Sequence, residues 1–336
     1  MSRSGAIMQT EEVIIIGAGP CGLSAALELK KQGIDPLLIE KGNVANAIYN
    51  YPTHQTFFSS SEKLEIGGMP FISERQKPVR NEALTYYRTV ADRGQLRINN
   101  YEKVTQITKN KNKYILKTET YLGNYNKYQA EYVIIATGYY DHPNKLGVKG
   151  EELPHVNHYF KEAHPFFKKN VVVVGGKNSA VDATLELEKA GANVTVLYRG
   201  ADYSPSVKPW ILPLFESLVN HRKIGMSFKA HVKEIRQKDL IVDIDGEEEI
   251  IEADYVFAMI GYHPDQSFLK HTGVDIDEET GRPTFDRHTM ETNLENIYIA
   301  GVIAAGYNNN EIFIENGRHH GELIAESIIK KRNHGE

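Results

Sequence analysis

Residues 13–25 read VIIIGAGPCGLSA, an apolar run that meets three glycines and a cysteine before turning amphipathic. Gly17, Gly19 and Gly22 have the GxGxxG spacing. The first glycine suits a tight turn, the second lets backbone approach a pyrophosphate, and the third lets a helix pack closely on a sheet. Glu40 ends the next apolar strand, where a carboxylate accepts hydrogen bonds from the ribose hydroxyls of an adenosine. Cys21 sits inside this cradle and is the only cysteine in the 336 residues. A sole thiol excludes an intrachain disulfide and any CxxC redox pair. It leaves two roles open: packing, or exchange with a disulfide brought from outside.

KNVVVVGGKNSAVDATLELEKAG, residues 169–191, repeats the design with a departure. Lys177 stands where the middle glycine belongs, so an ammonium rather than bare backbone can meet a phosphate. Gly176, Lys177, Asn178 and Ser179 are the candidate phosphate contacts. Arg199 ends the following strand in LYRG, where an acid is usual for NAD. A guanidinium holds a 2′-phosphate through two parallel charge-assisted hydrogen bonds, whereas an acid repels it. The second site is therefore expected to take NADPH in preference to NADH.

Both cradles need the same support: a β-branched strand entering a glycine turn, then a helix with apolar residues at helical spacing. Gly33 and Gly191 are placed to end those helices. Between the units, YEKVTQITKNKNKYILKTET and NKYQAEYVIIATGYYDHP alternate like antiparallel hairpins, and DIDGEEE reads as another hairpin turn. NEIFIENGRHHGELIAESIIKK reads as one closing helix. A formal charge of −5 gives no support to nucleic-acid binding. No apolar stretch approaches the roughly 18–20 residues that span a bilayer. MSRSGAIMQTEE lacks the apolar core of a signal peptide, so a cytoplasmic location is expected, with Met8 as a possible natural start behind a foreign leader.

GAGPCG with Glu40, Ala136-Thr137-Gly138, MIGYHPD and ENIYIAG occur in the order found in flavoprotein reductases with two dinucleotide sites. In length and layout the chain resembles the low-molecular-weight thioredoxin reductases. The resemblance implies FAD in the first cradle and NADPH in the second. It also implies an α/β fold of two doubly wound (Rossmann-like) nucleotide-binding domains with antiparallel hairpin layers, the second inserted into the first. An FAD domain would take residues 1–142 and 264–336, and an NADPH domain 143–263. Two departures narrow the match. HVNHYFKEAHPFFKKN replaces the CxxC segment, so the dithiol route to thioredoxin is closed. Gly301-Val302 replaces the Gly-Asp whose carboxylate touches the flavin's ribityl chain. GPCG, GGKNSAVDAT, VKPWILP and YIAGV together resemble the YpdA family, FAD-containing and NADPH-dependent bacillithiol disulfide reductases, also called bacilliredoxin reductases.

That resemblance implies further FAD contacts at Pro20, Cys21, Lys41, Asn46, Val104, Thr137, Gly138, Gly301, Val302, Glu311 and Ile312, with Gly261 at the second nucleotide. It makes Cys21 the catalytic thiol, acting on bacillithiol disulfide or a bacilliredoxin mixed disulfide in a homo-oligomeric enzyme. Electrostatics alone gives Cys21 no unusual acidity. A helix N-terminus favours a thiolate by about 0.3–1 kcal/mol, up to about 2. One phosphate charge at about 6 Å opposes it by roughly 3 kcal/mol at an effective dielectric near 20. A thiolate fraction of a few per cent near pH 7 is then expected, from a pKa of about 8.5.

Competing readings share the two cradles: a flavin monooxygenase, a ferredoxin–NADP reductase of the thioredoxin-reductase type, and a nucleotide-sensing protein without turnover. The FxGxxxH fingerprint of the first is not found before NVVVVGG. Weaker signals remain. His155, His158 and His164 lack carboxylate or thiol partners at metal-ligand spacing and are expected to be solvated loop histidines. His319 and His320 cannot share a helix face. Trp210, between two prolines, either lines a cleft or anchors its loop in the core. Asn46, Tyr49, Phe57 and Ser59 lie in a segment expected to wrap the flavin. Asn310 and Glu311 are expected at a helix start aimed at the flavin's pyrimidine edge.

Overall fold

The computed structural model describes residues 8–308 and 310–334, and the leader ahead of Met8 lies outside them. The described chain divides into two compact units. One takes the chain up to Asn50, then His54–His142, then the segment from His263 onward; the other takes Tyr51–Thr53 and Pro143–Tyr262.

In the first unit β1 (Gln9–Ile16) leads into α1 (Pro20–Lys31) and β2 (Leu37–Ile39). Residues 13–16 are buried and β-branched, as a parallel strand covered on both faces requires. After α2 (Asn46–Asn50), α3 (Ser61–Leu64) and α4 (Arg80–Arg93), β3 (Arg97–Asn99) completes the parallel edge. β4 (Glu102–Asn110), β5 (Lys113–Thr120) and β6 (Tyr125–Ile135) then form the expected antiparallel meander. β6 is the spine of this sheet, which runs β3-β2-β1-β6-β5-β4. Its first half pairs antiparallel with β5, while from Tyr128 to Ile135 it runs parallel to β1, from Gln9↔Tyr128 to Ile16↔Ile135.

The second unit holds β7 (Val156–Asn157), β8 (Asn170–Val174), α5 (Asn178–Lys189), β9 (Asn193–Leu197), α6 (Leu212–Asn220) and β10 (Ile224–Ser227). β11 (Ala230–Ile235), β12 (Asp239–Ile244), β13 (Glu247–Glu252) and β14 (Tyr255–Ala258) follow. A parallel sheet in the order β10-β9-β8-β14-β7 lies beside the antiparallel sheet β11-β12-β13. The valine run of β8 serves both faces: Val171 and Val173 join Leu187 of α5 and Phe215 of α6, while Val172 and Val174 join Leu240 and Val242 of β12. Asp245 and Gly246, both at positive φ, make the tight hairpin turn read from DIDGEEE.

The chain closes in the first unit with α7 (Gln266–Thr272), β15 (Ile297–Ile299), α8 (Ile314–Gly317) and α9 (His320–His334). β15 pairs parallel with the second half of β6. The single closing helix read from the sequence is therefore two, and residues 310–313 lie outside both. The side chain of Asn316 caps α8, accepting from the Phe313 N–H at 2.7 Å and donating to the Glu311 carbonyl at 2.8 Å. The Arg318 carbonyl accepts from Ser24 Oγ at 2.7 Å, which ties the break to α1. Gly321 lets α9 meet that helix, since a Cβ there would lie 2.7 Å from the Ala25 Cα.

Candidate functional site

The C-terminal ends of β1, β2, β6 and β15 converge, and each turns sharply: Gly17 after β1, Glu40 after β2, Ala136-Thr137-Gly138 after β6, and Gly301 after β15. Ligands of doubly wound sheets bind outside these strand ends. Gly17 has φ +105°, and a Cβ on it would lie 2.5 Å from the Ala136 carbonyl oxygen. A Cβ on Gly22 would lie 2.1 Å from the Gly17 oxygen, so α1 reaches the sheet only as glycine. At Gly19, by contrast, a Cβ would meet nothing within 4 Å. Two glycines are filled by protein and the third faces open space, at the start of a helix whose first-turn N–H groups lack intrahelical partners.

Glu40 is buried, and its carboxylate accepts from the N–H groups of Ala18 at 2.8 Å and Gly42 at 2.7 Å. Burial raises its pKa, against those two hydrogen bonds. The acid expected to meet ribose thus also clasps the turn on either side of it. Among the described residues the buried Thr137 hydroxyl has no partner, which suits a polar ligand group at that point. Lys41 pairs with Asp141 at 2.8 Å, and Asn46 packs against Gly42, where a Cβ would lie 2.4 Å from its Cγ. Val104 is buried in β4 beside a bulge. Ser59 Oγ donates to Glu315 at 2.8 Å, Phe57 is buried and Tyr49 is exposed. Gly138 is at positive φ, as is Gly261, which follows β14 in the second unit. These features fit a pyrophosphate cradle. The placement of Glu311 needs correction: it precedes α8 rather than starting a helix, and it is ion-paired with Arg282. Asn310 lies with it in a turn, and Ile312 packs against Gly317.

Cys21 is the second residue of α1 and only partly exposed. Its Sγ is set between two glycines: a Cβ on Gly301 would come within 2.9 Å of it, and one on Gly317 within 3.1 Å. Burial of the sulfur pushes the thiol pKa up to about 12. The few per cent of thiolate expected from the sequence is therefore too high, because burial favours the neutral thiol. Where the resemblance led to a Gly-Asp carboxylate, Val302 supplies none. The Gly301 N–H instead donates to Nδ1 of His320 at 3.0 Å. Burial, reinforced by His319, lowers the pKa of His320 to about 4, so it is neutral at pH 7 with its proton on Nε2. His319 is exposed but precedes α9, so the two do not lie on one helix as expected.

The second cradle repeats the plan at the ends of β8, β9 and β14. Gly175, at φ +140°, takes the place of Gly17, since a Cβ there would lie 2.4 Å from the Met259 oxygen. Gly176 lies beneath the Tyr198 ring, 2.4 Å from its would-be Cβ. Lys177, Ser179 and Arg199 are exposed, and no side-chain partner engages the Lys177 or Arg199 cation among the described residues. The Asn178 side chain is not available to a phosphate. It donates to the Ser206 carbonyl at 2.8 Å and accepts from the Lys208 N–H at 2.9 Å, leaving its backbone N–H for a ligand.

One loop expectation fails, and one alternative for another is closed. His158 is not a solvated histidine: its side chain is 12% exposed and stands 3.0 Å from Lys145 Nζ. Trp210 does not anchor its loop in the core, being 58% exposed, while Val207 is buried. The sequence reading named His320 without giving it a role and missed Arg80. Arg80 is buried, bonds to the Tyr49 carbonyl at 2.5 Å and has no carboxylate within ion-pair distance among the described residues. No motif marks either residue.

A thiol with a pKa near 12 is alkylated slowly at pH 7, and the rate should rise about tenfold per pH unit up to at least pH 10. Iodoacetamide kinetics on the native protein check this; a plateau below pH 9 would contradict the buried, neutral thiol.

Residues 14–301 match the family model described as pyridine nucleotide-disulphide oxidoreductase. Bacilliredoxin reductase Bdr of Bacillus subtilis (strain 168) is 61% identical over 330 residues, covering 97% of this chain and 100% of that protein. Among solved structures, the bacillithiol disulfide reductase Bdr (YpdA) from Bacillus cereus superposes with a TM-score of 0.95 at 62% identity, covering 96% of this chain and 100% of that one. Its counterpart from Staphylococcus aureus gives 0.93 at 58%, covering 97% and 100%. No helix among the described residues is long and apolar enough to cross a membrane. A GxGxxG cradle, a second glycine cradle and a lone thiol at the first helix are therefore features of a known kind of oxidoreductase: the chain belongs to the pyridine nucleotide-disulphide oxidoreductase family, in the Bdr branch of it.

Proposed function

We propose that this protein is an NADPH-dependent FAD enzyme that reduces bacillithiol disulfide, or the mixed disulfide of bacillithiol with a bacilliredoxin, through Cys21. The observation that carries the reading is the position of the sole thiol, on the first turn of the helix that closes the first cradle. The likeness to the Bdr proteins over almost the whole chain supports the substrate. Gly17, Gly19, Pro20 and Gly22 would hold the FAD pyrophosphate, Glu40 the adenosine ribose, and Thr137 a polar group of the same cofactor. Gly176, Lys177, the Asn178 N–H and Ser179 would hold the NADPH phosphates, and Arg199 its 2′-phosphate. When bound, the flavin supplies a two-electron relay between nicotinamide and sulfur.

The chain's own part is thiol exchange. Cys21 gives up its proton, its sulfur attacks one sulfur of the disulfide, and the S–S bond breaks. One bacillithiol leaves as a thiolate and takes up a proton, while the other stays joined to Cys21. Two electrons originating from NADPH, with two protons, then break the Cys21–bacillithiol S–S bond, free the second thiol and restore Cys21. A scarce thiolate limits the rate of attack without forbidding it.

Cys21→Ala tests the reading: the variant should keep its flavin and its NADPH oxidase activity, and its bacillithiol disulfide turnover should fall to background. Full turnover would return Cys21 to packing. Arg199→Ala should cut the preference for NADPH over NADH by about tenfold, the worth of one exposed charge-assisted pair. Steady-state kinetics with both nucleotides checks this, and an unchanged preference would remove Arg199 from the site.

A further inference from the structure

Residues 317–321 brace the surroundings of Cys21. Gly317 lies against the sulfur, Ser24 Oγ donates to the Arg318 carbonyl, His320 Nδ1 accepts from the Gly301 N–H, and Gly321 meets Ala25. The brace is anchored from outside by the Arg318 guanidinium, which donates to the carbonyls of Glu62, at 3.0 Å, and Glu65. Gly301 is the other wall of the thiol's pocket. Its φ of +82° and ψ of −158° fall in a region essentially confined to glycine, where the backbone persists only when its surroundings fix it. Its carbonyl accepts from Ala304 at 3.1 Å, and its N–H is fixed by the imidazole of His320.

We propose that His320 is a positioning residue for Cys21: through Nδ1 it holds Gly301 against the sulfur, and breaking that one hydrogen bond opens the thiol to a disulfide. The geometry stands by itself, and only its consequence for turnover rests on Cys21 being the exchanging thiol. With the peptide closed, the sulfur is desolvated and neutral. With it open, water returns and the pKa relaxes toward its ordinary value, so the thiolate share rises. Only the one hydrogen bond changes, so the device guards the thiol at rest without altering the chemistry of exchange.

The test uses the flavin-loaded protein. Nitrogen NMR of histidine-labelled protein should show His320 Nδ1 unprotonated and accepting; a proton on Nδ1 would overturn the proposal without any variant. His320→Asn, which offers a carbonyl oxygen near the place of Nδ1, should be alkylated by iodoacetamide at pH 7 within about threefold of the parent rate. His320→Leu, which offers no acceptor, should react at least about tenfold faster. Equal rates in the leucine variant and the parent would overturn the proposal. Should the leucine variant not fold, amide exchange at Gly301 in the parent decides: strong protection is expected, and free exchange contradicts the closed peptide. These readouts do not involve disulfide turnover, so failure here leaves the Cys21→Ala result to judge the enzyme reading separately.

Discussion

Helix α1 starts where it does because three stretches of backbone touch. The Gly17 carbonyl fills the space a side chain on Gly22 would need, and the Ala136 carbonyl fills the space beside Gly17. This contact docks the helix on β1 and β6, turns its first N–H groups toward the strand ends, and leaves Gly19, of the three motif glycines, facing open space. It also fixes Cys21. One residue before Gly22, its side chain can only go toward the turn after β15, where Gly301 and Gly317 give it room. A methyl on either glycine would displace the sulfur, so the thiol's position follows from the same close packing that makes the cradle.

That packing decides the thiol's electrostatics. A helix N-terminus favours a thiolate by at most about 2 kcal/mol, or roughly 1.5 pKa units. Burial moves Cys21 the other way, up to about 12. Desolvation wins, and the resting protein holds a thiol rather than a thiolate. A lone cysteine with no resolving partner gains from this, because a scarce thiolate is slow to oxidise or to capture stray disulfides.

The framework was legible where local physics is strong. β-branched runs entering glycines gave both parallel strands and both cradles, and alternating patterns gave the β4–β6 meander and the β12–β13 hairpin. Arg199 and Lys177 were found because charge at a strand end or helix start has a local meaning. What the sequence hid depends on distant contacts. The closing segment has helical periodicity throughout, yet it breaks at Arg318–His319, where Ser24, 294 residues away, takes the carbonyl. His320 reaches Gly301, 19 residues back, only after β15 is paired. Asn178 looked like a phosphate ligand because of its place in the cradle, and the Ser206–Lys208 loop claims its side chain. No spacing rule predicts a contact made by folding.

The account stands or falls on where the electrons go. The direct measurement is anaerobic reduction with NADPH, followed by mixing with bacillithiol disulfide, ferredoxin or oxygen in separate arms while the flavin absorbance is recorded. Rapid return of the yellow colour with bacillithiol disulfide, and much slower return in the other arms, is the result the structure predicts. A reduced protein indifferent to the disulfide and quickly reoxidised by ferredoxin or oxygen would contradict it.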